Sequence, residues 1–286
     1  KQAYTDAGVY ISARDFDARN LSGTEMAERL GKAPLAQQPG TTWEYSLSVD
    51  IQGRVIEGVT GQRLNDFMQE RLFKPLKMQE TGFTVPTANA GRVAEPFAAD
   101  PATGVPNKLI DVSQTPGNDS GGAGGVSTAP DYLRFCQAML NGGQLDGARI
   151  LSRSTVQLMT SDHLGTAIAT PVSPGQLLFG SPGYTFGLGF LVRQGDGIAP
   201  VHGSAGEFMW AGYAGTYFWA DPKEQLCGVF MSQSPGPTRA YYRRMLKTLV
   251  AQALIETIGL LFRDMVTSST IEDSCLITRT LLMLAQ

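Results

Sequence analysis

The sequence predicts an α+β fold built around an antiparallel sheet. Residues 24–140 hold several segments with apolar side chains at helical spacing, residues 186–233 hold strand-like runs separated by turns, and a long helical pattern follows Thr238. Helices come first and strands later, which is not the βαβ alternation that builds a parallel sheet.

Taken in order, TEMAERLG at 24–31 reads as a short helix ended by Gly31. SVDIQGRVIEGVTG places Val49, Ile51, Val55, Ile56 and Val59 at helical spacing, with Gly61 following as a C-cap. LNDFMQERLFKPLKM sets Leu64, Phe67, Met68, Leu72 and Phe73 on one face and stops at Pro75. Residues 82–120 lack periodicity, and a loop that long is expected to be packed and near a site. In STAPDYLRFCQAMLNGG, Ser127 or Thr128 is the expected N-cap, Pro130 lies in the first turn and Gly142-Gly143 ends the helix. LSRSTVQLMTSD is a further capped helix.

After a Pro/Gly-rich stretch at 170–184, FGLGFLVRQ, AGTYFWADP and QLCGVFMSQ are predicted as three strands of a meander, turning at GDG and DPKE. From Thr238, Tyr241, Met245, Leu249 and Ala253 form the apolar stripe of a helix reaching about Leu261. Three strands are few for the helices ahead of them. On this reading the chain divides into a mostly helical part with long loops (1–185), strands with a terminal helix (186–261) and an extension of unknown role (262–286).

With 42% hydrophobic and 17% charged residues, the 286-residue chain can bury a substantial core. The net charge of -3 is spread without runs, which argues against a nucleic-acid partner and a polybasic membrane anchor. No apolar run is long enough to span a membrane, and the start at Lys1 leaves the compartment open. Cys136, Cys227 and Cys275 form neither a metal pattern nor a disulfide framework; Cys136 and Cys227 read as small buried hydrophobes. Two histidines do not make a histidine metal centre.

Four blocks occur together in order: WEYSLSVDIQGRVIEGVTG, RLFKPLKMQETGF, GGAGGVSTAPDYLRFCQAMLNGGQLDGARILS and EFMWAGYAGTYFWADP. Over roughly residues 20–260 their joint order resembles the serine β-lactamase-like hydrolases, and within them the class C β-lactamase relatives that include family VIII carboxylesterases. The resemblance implies a β-lactamase/transpeptidase-like fold, an acyl-enzyme reaction and a small-molecule ester or amide substrate. It implies no metal and no organic cofactor.

That family works with a Ser-x-x-Lys, a tyrosine motif and a Lys-Thr-Gly or its substitute on a strand. A serine hydroxyl needs a nearby base to become a nucleophile. By resemblance Tyr45 occupies the second place, as proton shuttle between nucleophile and leaving group. Trp210-Ala211-Gly212 occupies the third, lining the cleft, and the Tyr213 backbone N–H supplies half of an oxyanion hole. Gly212 suits a strand position that a substrate must approach closely. Leu47 stands where a β-lactamase usually has asparagine, and Trp210 replaces a carboxylate-gripping lysine. Both departures fit apolar acyl or aryl esters, so a carboxylesterase is favoured over a β-lactamase or penicillin-binding-type peptidase.

No serine in the chain is followed three residues later by lysine, so a nucleophile is not found. The His-Thr-Ser-Gly-Leu segment common in these relatives is also absent. Only 44 residues precede Tyr45, and the chain reads as the C-terminal two-thirds of such an enzyme, its first strands and nucleophile helix missing. Ser204 in HGSAG is a poor substitute, because His202 holds the first glycine position of Gly-x-Ser-x-Gly and strand-like sequence follows. A non-catalytic binding protein or inactive fragment that keeps the cleft is the competing reading. Lost strands would expose a sheet edge that invites self-association.

Overall fold

The computed structural model describes residues 2–10, 18–107 and 109–254. Residues up to Leu246 make one compact unit; a second begins at Lys247, and its described part, 247–254, continues the last helix.

The helices begin where side chains can satisfy their free N–H groups. After α1 (Gln2–Asp6), α2 (Gly23–Lys32) starts where Ser22 accepts from the Glu25 N–H. Glu25 in its first turn and Arg29 and Lys32 in its last complement the helix dipole. It passes through Gly31, the expected end, and stops at Ala33. Helix α3 (Ser48–Thr60) ends at Gly61, whose φ of 70° is the left-handed C-cap conformation expected there.

Along α3 the expectation of an inward apolar stripe is corrected. Val49, Val55 and Val59 are exposed, and the buried residues are Asp50 and Gly53. A helix packs through whatever face its neighbours can approach. Here Leu64, at the start of α4 (Leu64–Met68), lies against Gly53. A π-type turn, Gln69–Phe73, extends α4 to the residues before Pro75.

The stretch 82–120 includes a 3₁₀ turn at Thr87–Arg92 and is largely exposed along its middle, with Phe97 77% exposed, which corrects the expectation of a packed loop. Asn118, Asp119 and Ser120 are buried at its end. Asp119 takes a forked ion pair from Arg63 (2.6 and 3.2 Å) and the Asn65 N–H (2.9 Å), while Asn118 donates to the Ala18 and Leu21 carbonyls (2.9 and 2.8 Å). Helix α5 (Ala129–Leu140) is capped by Thr128, with proline in its first turn. A hairpin of β1 (Gln144–Leu145) and β2 (Ala148–Arg149), unforeseen in the sequence, leads to α6 (Arg153–Met159), capped by Ser152. The Pro/Gly-rich stretch holds another unforeseen helix, α7 (Pro174–Phe179), capped by Ser173.

The sheet has five antiparallel strands in chain order rather than three: β3 (Tyr184–Phe186), β4 (Leu191–Arg193), β5 (Phe208–Ala211), β6 (Tyr217–Asp221) and β7 (Leu226–Phe230). FGLGFLVRQ is a hairpin of two strands, because its glycines break the run between Phe186 and Leu191. Every residue of β6 is buried. Phe218 and Ala220 face α5 and pack with Cys136 and Met139. On the other face Tyr217 stacks between Trp219 (5.3 Å, 16°) and Phe179 of α7 (5.5 Å, 28°). Cys136 is buried and Cys227 half-buried, both as free thiols; Cys275 lies outside the described residues.

Helix α8 (Arg239–Ala253) is a second correction. Its anticipated apolar stripe is exposed at Tyr241, Met245 and Leu249, whereas Arg243 is 1% exposed. The expected extent to Leu261 and the extension 262–286 lie outside the described residues. Among the described residues no helix is long and apolar enough to cross a membrane.

Gly228 pairs with Trp219, and a Cβ there would overlap the indole ring. That ring is 2% exposed and stacked on Tyr217, so it cannot swing aside. Gly228→Val is therefore expected to destabilise the protein by about 1–3 kcal/mol despite the better strand propensity of valine. A urea midpoint that falls at unchanged m-value would show it.

Candidate active site

Tyr45 lies three positions before the first residue of α3, on a segment fastened to the 161–172 loop. Trp43 N–H donates to the Ala169 carbonyl (2.8 Å) and Ala169 N–H to that of Thr41 (2.9 Å). The neighbouring Ser46 hydroxyl is hydrogen-bonded to that of Tyr4. Across the cleft, β5 presents Trp210 in register with Phe218 of β6. The Tyr45 and Trp210 rings meet at 5.5 Å, which joins two sequence blocks about 165 positions apart. Trp210 is half-buried: one side packs on the core against α5, and the other meets Tyr45.

Beyond Trp210, Gly212 begins a tight turn that closes with Gly215 N–H donating to the Gly212 carbonyl (3.2 Å). A side chain at Gly212 would overlap that of Thr216, so the close approach requires glycine. Ala211 is buried. Among the described residues the Tyr213 N–H has no protein acceptor. The Tyr213 ring is exposed, and the Arg239 guanidinium stands over it at 5.2 Å while donating to the Tyr213 carbonyl (2.6 Å).

The turn is held from beneath by Arg243. Its guanidinium donates to the carbonyls of Gly212, Gly215 (3.4 Å) and Leu178 (2.9 Å). Burial, then the Arg239 charge, pushes its pKa down to about 10, still high enough for a cation at neutral pH.

Leu47, predicted beside Tyr45, turns to a different neighbourhood. It packs with Val9, Tyr10, Ala18 and Met26 and borders a small cavity also lined by Asp50, Asn118 and Ser120. At about 40 Å³ this cavity could hold a few waters, not an ester. Buried Asp50 accepts from the Ser120 hydroxyl, which accepts from the Ala123 N–H (3.0 Å). Desolvation and then the Asp50 charge raise the Tyr45 phenol. Tyr10 is pushed up to about 12 by burial, then by Asp50, Tyr4 and Tyr45, which sets its hydroxyl in the same electrostatic neighbourhood.

Ser204 is a turn residue. Its N–H donates to Asp221 (2.9 Å) and its hydroxyl to Glu224 (3.5 Å), while His163 bonds the Leu158 carbonyl (2.8 Å).

Sequence reasoning missed Trp43, Phe186, Asp50, Tyr10 and Arg243. Trp43 carries one local signal, an aromatic two positions before Tyr45 in the same sequence block. The others carry no local signal.

The chain matches the family description "Beta-lactamase" over residues 5–252. The chain belongs to the beta-lactamase family. Lovastatin esterase of Penicillium rubens is 31% identical over 233 residues, covering 74% of this chain and 55% of its own length. Esterase EstB of Burkholderia gladioli is 28% identical, covering 74% and 53%. Carboxypeptidase-type names also occur among the relatives. The solved structure of EstCE1, described as a hydrolase with promiscuous acyltransferase activity, superposes with a TM-score of 0.66 at 22% identity, covering 84% of this chain and 64% of its own. That likeness shows the β-lactamase-like α+β fold. The chain spans about half the length of the curated relatives it matches.

Two outcomes are expected. Tyr45 should titrate above the ordinary tyrosine value of about 10, seen as the difference in 295 nm absorbance between the protein and Tyr45→Phe. Asp50→Asn should lower that value, but not to the ordinary one, because burial remains. A phenol raised on folding contributes stability that is present below its unfolded pKa and lost as pH rises through the folded one. Separately, Arg243→Met strands the Gly215 and Leu178 carbonyls and should cost on the order of 3 kcal/mol in urea unfolding.

Proposed function

We propose that this chain supplies the proton relay, an oxyanion donor and the substrate wall of a serine hydrolase acting on uncharged esters. The observation that carries the reading is the contact of Tyr45 with Trp210, which brings the tyrosine motif to the strand motif. No Ser-x-x-Lys occurs among the 286 residues, and the proposal takes as nucleophile a lysine-activated serine that this sequence does not supply. In the proposed reaction the serine oxygen bonds to the ester carbonyl carbon, and its proton passes through Tyr45 to the departing alcohol oxygen. The carbonyl oxygen takes up negative charge beside the Tyr213 N–H. The carbon–oxygen bond to the alcohol breaks, and water then releases the acid from the acyl-enzyme.

Tyr45 enters neutral, as an ordinary tyrosine does, so the relay has it hand on its own proton while taking the serine's; the raised phenol does not itself favour the role. Trp210 in place of a cation supports esters over substrates with a carboxylate to be gripped. The esterase names among the relatives support the same choice. The division at 185/186 and 261/262 belongs to this proposal, as does self-association through β7, whose outer edge has no strand partner among the described residues.

The absence of Ser-x-x-Lys favours one other reading, a binding protein that keeps the cleft without the chemistry. Assays separate the two. The 286-residue chain alone is expected to give no turnover of p-nitrophenyl butyrate above background. In the full translated product of its reading frame, Tyr45→Phe should lower kcat by about 10²–10⁴-fold. Turnover indifferent to that change would refute the relay role, and nitrocefin hydrolysed faster than the ester would reverse the substrate preference. A full product that binds but never turns over would leave the binding reading.

A further inference from the structure

The aromatic contacts of this protein occur in two settings. In the core around β6 the rings are buried, some stacked, as Tyr217 on Trp219 at 16°, and others edge-on, as Phe190 on Phe218 at 84°. At the cleft, Trp43 meets Phe186 at 5.3 Å and 50°, Phe186 meets Trp210 at 5.7 Å and 65°, and Trp210 meets Tyr45 at 5.5 Å and 55°. Exposure, not tilt, sets these four apart from the core rings. None of them is buried. A contiguous run of partly exposed aromatic rings is unusual on a protein surface and marks a binding site.

The run is also fixed in place. Trp43 is held by the backbone bonds to Ala169, Phe186 by its pairing with Leu191, and Trp210 by its pairing with Phe218. Such a wall needs little ordering when a guest arrives. It carries no charge, and its last member is the proposed relay, Tyr45.

We propose that Trp43 and Phe186 extend the site into an aryl-binding wall, so that the ester preferred here bears a flat aromatic ring and not a short aliphatic chain. This rests on the hydrolase reading for the word ester, but not for the binding itself. Flat rings gain edge and offset contacts from tilted rings that a flexible chain of equal size cannot, each worth about threefold to tenfold in affinity.

Acetophenone and 2-octanone have the same carbon count and cannot be hydrolysed, so ligand-observed NMR titration of both reads the wall without the chemistry. Acetophenone is expected to bind about tenfold more tightly. Trp43→Leu and Phe186→Leu, which keep apolar bulk, should each weaken acetophenone about threefold to tenfold with 2-octanone and the urea midpoint unchanged. Equal affinity for the two ketones, or indifference of acetophenone to both substitutions, would overturn the proposal. Aryl preference in a full product that hydrolyses no ester would sink the hydrolase reading and leave the wall standing. Ester turnover without aryl preference would do the reverse.

Discussion

The buried guanidinium of Arg243 fixes the part of the molecule on which the site depends. It meets carbonyls from the 212–215 turn and from the end of α7, and so ties the first turns of α8 to both. A buried cation is expensive to desolvate, and the lowered pKa records that cost. The carbonyl oxygens of Gly215 and Leu178, which would otherwise be unsatisfied acceptors, offset it. The arrangement holds only while the groups keep their places. The turn carrying the Tyr213 N–H is set from below by this contact.

The opposite wall has its own polar anchor in Asp50. Its carboxylate is buried in the first turn of α3, near the positive end of the helix dipole, and takes the Ser120 hydroxyl from the end of the long loop. Arg63 and Asp119 fasten the same loop to the start of α4. Tyr45 thus stands between a rigid aromatic neighbour and a negative charge. The first gives its ring a fixed place, and the second helps keep its hydroxyl protonated.

Much of the chain was legible from local chemistry. The caps at Gly61 and Thr128, the proline in the first turn of α5 and the antiparallel order of the strands follow from side-chain and backbone preferences acting over a few residues. The errors have a common cause. Val49, Val55 and Val59 in α3 and Tyr241 and Met245 in α8 have the spacing of a core face, yet they are exposed while Asp50 and Arg243 are buried. Periodicity shows that a helix has an apolar stripe, not which face its neighbours cover. The two added strands were missed because FGLGFLVRQ splits into β3 and β4 of three residues each and β5 has four, too few for alternation to register.

The sequence by itself determined the α+β class, the family resemblance, the place of Tyr45 and the lack of a Ser-x-x-Lys, since each is a matter of residue type and order along the chain. Only the tertiary structure decided that Tyr45 meets Trp210, that Leu47 faces a separate cluster and that Trp43 and Phe186 join the cleft. These are contacts between segments far apart in sequence. Their partners are chosen by packing of the whole unit, and no local preference records that choice.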